Sequence, residues 1–216
     1  MKALVLGGTG ATGRALVPLL LGDSRYSEVH LFVRRPIELS HPKLSVHLLD
    51  FECSADWAGS YPADIAFSCL GTTRNDAGSQ EAQRRVDVDY QIQFAQMCLR
   101  SGVQTFALLS STGAQSDSSL FYLRLKGQAE DGIKALGFER TLFFRPGMID
   151  RGELVRLGEK WTMRLVRGLN KLGLLLDQRP ITTQQLAQQM HRHTAEAKQG
   201  LRIVSQAELL QGLTPH

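Results

Sequence analysis

Residues 2–13 read KALVLGGTGATG, with four glycines, Gly7, Gly8, Gly10 and Gly13, within seven positions directly behind an apolar run. Glycine loses more backbone entropy on folding than any other residue. A cluster this dense therefore serves a place where side chains cannot stand. An apolar strand that ends in such a turn and continues as a helix opens a strand–helix–strand unit. In a sheet built from such units the first turn lies at the carboxyl edge, where ligands bind.

The rest of the chain keeps that alternation. Apolar runs at 2–6, 29–33, 44–49, 64–70, 105–110 and 141–145 are separated by amphipathic stretches at 14–22, 81–100 and 120–136. The runs are nearly continuous in hydrophobicity, as in strands covered on both faces. Repeated strand–helix–strand order implies right-handed crossovers and an α/β, doubly wound parallel sheet. Within 81–100, the spacing puts Val88, Ile92, Ala95 and Leu99 on one helical face. Gly102 and Gly137 stand where helices stop. Beyond Pro146 the reading is a helix at 153–172, another at 182–197 and a short strand at 201–205. With 216 residues, a single domain is expected, its dinucleotide-binding part about 1–150 and a smaller appended part about 151–216.

Composition bounds the partners. Hydrophobic residues are 43% and charged residues 21% of the chain, a globular mixture. A formal charge of +4 is too small to argue for nucleic acid but suits an anionic ligand. Cys53, Cys69 and Cys98 are widely spaced and odd in number, which fits neither a disulfide framework nor zinc. The glycines interrupt any signal-peptide core, Pro18 breaks the next apolar stretch, and no run has the length of a membrane span. The expectation is a cytoplasmic protein with no membrane partner.

The glycine turn itself carries two overlapping spacings, GxGxxG through Gly8, Gly10 and Gly13, and GxxGxxG through Gly7, Gly10 and Gly13. Either supplies a tight turn, close approach of a pyrophosphate, and packing of helix on strand, with the helix N-terminus facing the phosphates. Gly7, Thr9, Gly10, Ala11, Thr12 and Gly13 are thus the expected cofactor contacts, set against a ligand-free turn as the bland alternative. At the end of the second strand, where an acid would hold the ribose of NAD(H), the sequence is FVRRP. Arg34 and Arg35 there match a 2′-phosphate with bidentate forks, so NADP(H) is expected over NAD(H). The competing reading is a pair of solvated arginines at a strand end.

The segment LSSTGAQSDSSLFYLRLKGQAE (109–130), together with the glycine motif and FRPGMI (144–149), resembles the extended and atypical short-chain dehydrogenase/reductases. Within them the chain is most similar to the Tat-interacting-protein-like oxidoreductases, well over 1–150 and loosely beyond. The resemblance implies a Rossmann fold and assigns Tyr122 and Lys126 to a YxxxK pair, four apart and so on one helical face. In that assignment Lys126 binds the nicotinamide ribose and lends its charge to the phenol, and Tyr122 exchanges a proton with a substrate oxygen. Ser111, or Ser110 in its place, holds that oxygen; the pair precedes Tyr122 by 11 and 12 residues, with a slight preference for Ser111. The resemblance further implies that Asp50 meets the adenine, that Leu70, Gly71 and Thr72 line the cofactor, and that Arg145, Pro146 and Gly147 flank the nicotinamide. Asp50 could equally cap a turn. Asp87 stands where many relatives carry a structural Asn, a departure from the pattern.

Two remaining features point less far. Arg156, Lys160, Arg164, Arg167 and Lys171 share one face of the 153–172 helix, which reads better as a solvated face than as a nucleic-acid surface. His191 and His193 are two apart and diverge on a helix, so no metal is expected. The functional expectation is NADP(H)-dependent oxidoreduction of a carbonyl or alcohol on a small molecule, with a homodimer compatible with such a fold. The alternatives are a protein that senses NADP(H) and binds another protein, and a module that the cofactor only stabilises.

Overall fold

The computed structural model describes residues 1–53, 55–150 and 179–213. A seven-stranded sheet, all parallel, runs through them in the order β3-β2-β1-β4-β5-β6-β9. Its strands are β1 Lys2–Leu6, β2 Glu28–Val33, β3 Leu44–Leu48, β4 Ile65–Ser68, β5 Thr105–Leu109, β6 Arg140–Arg145 and β9 Gly200–Ser205. A separate parallel pair, β7 Ile149–Asp150 with β8 Ile181–Thr182, stands beside it. The helices are α1 Ala11–Gly22, α2 Arg74–Ala77, α3 Gln80–Arg84, α4 Tyr90–Arg100, α5 Phe121–Lys134, α6 Thr183–Ala195 and α7 Gln206–Leu210. The strand order turns outward in both directions from between β1 and β4, which sets the ligand crevice at their carboxyl ends.

The central strands are buried on both faces, as their unbroken hydrophobicity predicts. Ala3 and Val5 of β1 face one side with Leu16, Val17 and Leu20 of α1 and Leu186 and Met190 of α6. Leu4 and Leu6 face the other with Phe94, Met97 and Cys98 of α4 and Ile133 of α5. Pro18 lies inside α1 without ending it, on the solvent side, where the missing N–H leaves the Arg14 carbonyl to water.

The 81–100 stretch departs from expectation. It is α3, one π-helical turn over Arg85–Asp89, and α4. The extra residue in that turn rotates everything after it, so the face that packs in α4 is Tyr90, Gln91, Phe94, Ala95, Met97 and Cys98. Val88 and Ala95 are buried as expected, Ile92 is only partly covered, and Leu99 is 40% exposed. Helix α2, helix α7 and the β7–β8 pair are too short for the periodicity of the sequence to reveal. The expected 153–172 helix and its basic stripe, Arg156 to Lys171, lie outside the described residues.

Candidate functional site

The glycine turn resolves into three different demands. Gly7 has φ +78°, and a Cβ on it would stand 2.5 Å from the Leu70 amide nitrogen and 2.6 Å from the Cys69 carbonyl carbon. A Cβ on Gly13 would meet the Gly7 carbonyl oxygen at 2.2 Å and the Gly8 Cα at 2.5 Å, so α1 sits directly on the turn. Gly10 has only the Gly7 oxygen near it, at 3.3 Å, and faces open space. The spacing with the three roles is therefore Gly7, Gly10, Gly13; Gly8 belongs to core packing, its would-be Cβ 2.2 Å from Leu31 Cδ1. No side chain caps α1 at Gly10 and no acid stands in its first turn, so the amides of that turn are open to an anion.

In front of this turn lies a cleft of about 400 Å³. Thr9, Gly10, Ala11 and Thr12 form one wall, and Leu70, Gly71 and Thr72, following β4, form another. Ser110, Tyr122 and Lys126 close it on the side of β5 and α5. The sequence stretches that carry these groups are thus brought to one place. Gly127 is what lets them meet: a Cβ there would lie 2.2 Å from Gln115 C and Ser116 N, so the loop after β5 rests on the backbone of α5.

Within the cleft, Lys126 Nζ lies 3.0 Å from Asp87 Oδ1, with the two side chains 5% and 0% exposed. The contact is charge to charge, off the line of a good hydrogen bond, because neither carboxylate oxygen has an aligned hydrogen-bond partner. Burial pulls the Lys126 ammonium toward deprotonation, but Asp87, with help from Tyr122 and Glu130, outweighs it and holds the amine above the usual lysine range. The ammonium stands 5.8 Å from the centre of the Tyr122 ring, which is 43% exposed and so accessible to a substrate. Cys69 also lines the cleft; burial pushes its thiol up to about 12, which makes it inert.

Of the serine pair, the structure brings Ser110 to the cleft. Its side chain is 3% exposed and its hydroxyl has no hydrogen-bond partner. Ser111, the slightly favoured of the pair, lies outside the cleft lining and turns its hydroxyl to the Thr112 carbonyl at 3.4 Å. Successive residues at a strand end point to opposite sides, so only one of the two can face the ligand.

The same alternation separates the arginines. Arg34 lines a second hollow of about 490 Å³ at the ends of β2 and β3, with Asp50, Phe51, Glu52 and Tyr90, whereas Arg35 does not. The Arg34 guanidinium carbon is 5.7 Å from the centre of the Phe51 ring. Asp50 lines this hollow and also ties its own turn, accepting from the Glu52 amide at 3.0 Å while the Asp50 amide donates to Asp56 Oδ2 at 2.7 Å. These hydrogen bonds meet the turn-cap reading of Asp50.

Arg145, Pro146 and Gly147 line neither hollow. Arg145 is bound on two nitrogens by the buried Glu130 carboxylate, at 3.0 and 2.5 Å, and its carbonyl accepts from the Thr112 hydroxyl at 2.9 Å. The Gly147 amide donates to Gln206 Oε1 at 2.8 Å. This stretch braces the serine loop, and the residue beyond it that reaches the cleft is Ile149. Arg14 lines the cleft as well. It escaped the sequence reading because a lone arginine in an amphipathic helix carries no signal.

A family model described as NAD(P)H-binding matches residues 7–160. The chain is 39% identical over 169 residues to HTATIP2 of Rattus norvegicus, covering 76% of this chain and 69% of that one. It is 38% identical over 164 residues to the mitochondrial protein FMP52 of Eremothecium gossypii, covering 75% and 69%. Among solved structures it superposes on the Bordetella bronchiseptica enzyme WbmH in complex with NAD+, with a TM-score of 0.69 at 15% identity, over 94% of this chain and 75% of that one. That likeness bears out the Rossmann fold. The expectation of a cytoplasmic protein is overturned, because the FMP52 relatives are named mitochondrial. Absence of a membrane-length apolar run does not separate compartments, and among the described residues no helix is long and apolar enough to cross a membrane. The chain belongs to the NAD(P)H-binding family and, with HTATIP2, to its Tat-interacting-protein-like group.

Proposed function

We propose that this protein is an NADP(H)-dependent oxidoreductase of the short-chain dehydrogenase/reductase type, acting on a carbonyl or alcohol of a small molecule. The observation that carries the reading is the composition of one cleft: an uncapped glycine turn on one side, and Ser110, Tyr122 and Lys126 on the other. The residues present fit a dinucleotide, since Gly10 leaves open the space a side chain would fill and Gly7 and Gly13 admit no side chain. Arg34, in a hollow beside the end of β2, supports the phosphorylated form, with Arg35 outside it.

When bound, the nicotinamide supplies or accepts the hydride. The protein's own residues manage the proton. Tyr122 gives its phenolic proton to the substrate oxygen in reduction and takes it back in oxidation. Lys126 holds ribose hydroxyls and stabilises the negative charge that develops on the phenol. The Ser110 hydroxyl, buried without an internal partner, donates to the same substrate oxygen.

The test is Tyr122→Phe, assayed on a panel of aldehydes and ketones with NADPH. Turnover is expected to fall at least about a hundredfold while NADPH affinity is kept. The sensor alternative draws on the Lys126–Asp87 ion pair, which forms without a substrate. A native protein that binds NADPH yet turns over nothing on the panel would favour it.

A further inference from the structure

Asp87 is the most enclosed acid in the described structure, with no exposure and no hydrogen bond to either carboxylate oxygen. A carboxylate in such surroundings is costly unless a cation answers it. The cation is Lys126, itself buried, at 3.0 Å across the cleft wall. The surrounding backbone is shaped to this pair. A Cβ on Gly71 would stand 3.4 Å from Asp87 Oδ1 and 3.6 Å from Lys126 Nζ, so the segment after β4 passes directly over both charges. Asp87 rides on the π turn, and single π turns recur at functional sites. The Gln91 amide donates to the Asp87 carbonyl at 2.8 Å and accepts from the Ser68 hydroxyl at 3.0 Å, which ties that turn to β4.

We propose that Asp87 is a positioning residue for Lys126: across their ion pair it pins the ammonium to the cleft wall and keeps it charged, ready to donate to the cofactor. The inference rests on the cofactor reading above. Because the contact with Asp87 is one of charge, the three donors of the ammonium stay available to ribose hydroxyls and the tyrosine side. The other charged or titratable groups around the pair cannot replace Asp87. Tyr122 and Glu130 share α5 with Lys126, and Glu130 is already claimed by Arg145. Cys69 beside β4 is held neutral by burial. Arg14 lines the same cleft from α1 and, being a cation, cannot answer an ammonium.

Two measurements test this on the native protein, Asp87→Asn and Asp87→Glu. One is NMR titration of the Lys126 side-chain amine without cofactor, and the other is NADPH affinity against pH, followed by cofactor fluorescence. In the native protein the affinity is expected to be flat from about pH 7 to about pH 9. In Asp87→Asn the amine should lose its proton at least about three pH units earlier, within that range, and NADPH affinity should fall about tenfold across it. Asp87→Glu should restore a substantial part of both. Native-like titration and parallel affinity profiles in Asp87→Asn would overturn the proposal. Should Asp87→Asn fail to fold, the double variant Asp87→Asn/Lys126→Met, which buries neither charge, is expected to fold; its failure to fold would reduce Asp87 to a packing residue and overturn the proposal equally. A native protein that does not bind NADPH at any pH removes the cofactor reading, while the amine titration still decides the ion pair.

Discussion

At the scale of single residues, the glycine turn separates folding from binding. Gly13→Ala drives a Cβ into the Gly7 and Gly8 backbone, which no side-chain rotation relieves. It is expected to destabilise the protein by about 3 kcal/mol or more, measured by urea unfolding. Gly10→Ala meets only one oxygen, at 3.3 Å, and its methyl enters the cleft. It should unfold like the native protein yet bind NADPH at least about tenfold more weakly. Equal losses of stability in both variants would contradict the assignment of roles. The sequence holds both glycine spacings, and only the distances choose between them. The serine and arginine pairs behave alike: Ser110 and Ser111, or Arg34 and Arg35, are neighbours of identical chemistry, and the side that faces the ligand is set by where each strand stops.

At the scale of elements, strands were legible because burial on both faces writes unbroken apolar runs into the chain, and β1, β2, β5 and β6 fall where those runs lie. Helix phase was less legible. One inserted residue in the π turn leaves every side chain in 81–100 chemically ordinary yet moves the buried face of α4. The signal that could have located it is Gln91, a polar residue that is fully buried because it bridges the turn and β4. Gln91→Leu keeps the volume but strands the Ser68 hydroxyl and the Asp87 carbonyl. A loss of about 1–3 kcal/mol is expected in urea unfolding, with weaker NADPH binding because the turn also carries Asp87. Unchanged stability would show that the bridge holds nothing. The RPG stretch shows a related limit of local pattern: Arg145 is spent on Glu130, and sequence adjacency to a site does not reveal which partner an arginine takes.

At the scale of the whole molecule, charge linkage sets the working range. Burial, with the nearby Arg202 and Arg192, lowers the pKa of His193, whose ring nitrogens have no partners among the described residues, and burial with His30 lowers that of His47. Both stay neutral in the fold, so their contribution is complete above about pH 6.5 and is lost as pH falls through their lowered values. The hydrogen bond and charge of Arg25, with His191, hold the Asp23 carboxyl well below the usual range, so its contribution is complete above about pH 4 and fades below it. The melting temperature is thus expected to be level through neutral pH and to decline in two acid stages. His193→Leu should shrink the first stage; an unaltered decline between about pH 7 and about pH 5.5 would assign that stage elsewhere.

The direct test at this scale is equilibrium titration of the native protein and Arg34→Ala with NADPH and NADH, followed by cofactor fluorescence. Saturable micromolar binding of NADPH by the native protein is expected, with a preference over NADH of at least about tenfold that Arg34→Ala largely removes. No saturation by either nucleotide at millimolar concentration would contradict the dinucleotide cleft. Equal affinities unaffected by Arg34→Ala would contradict the assignment of NADP(H).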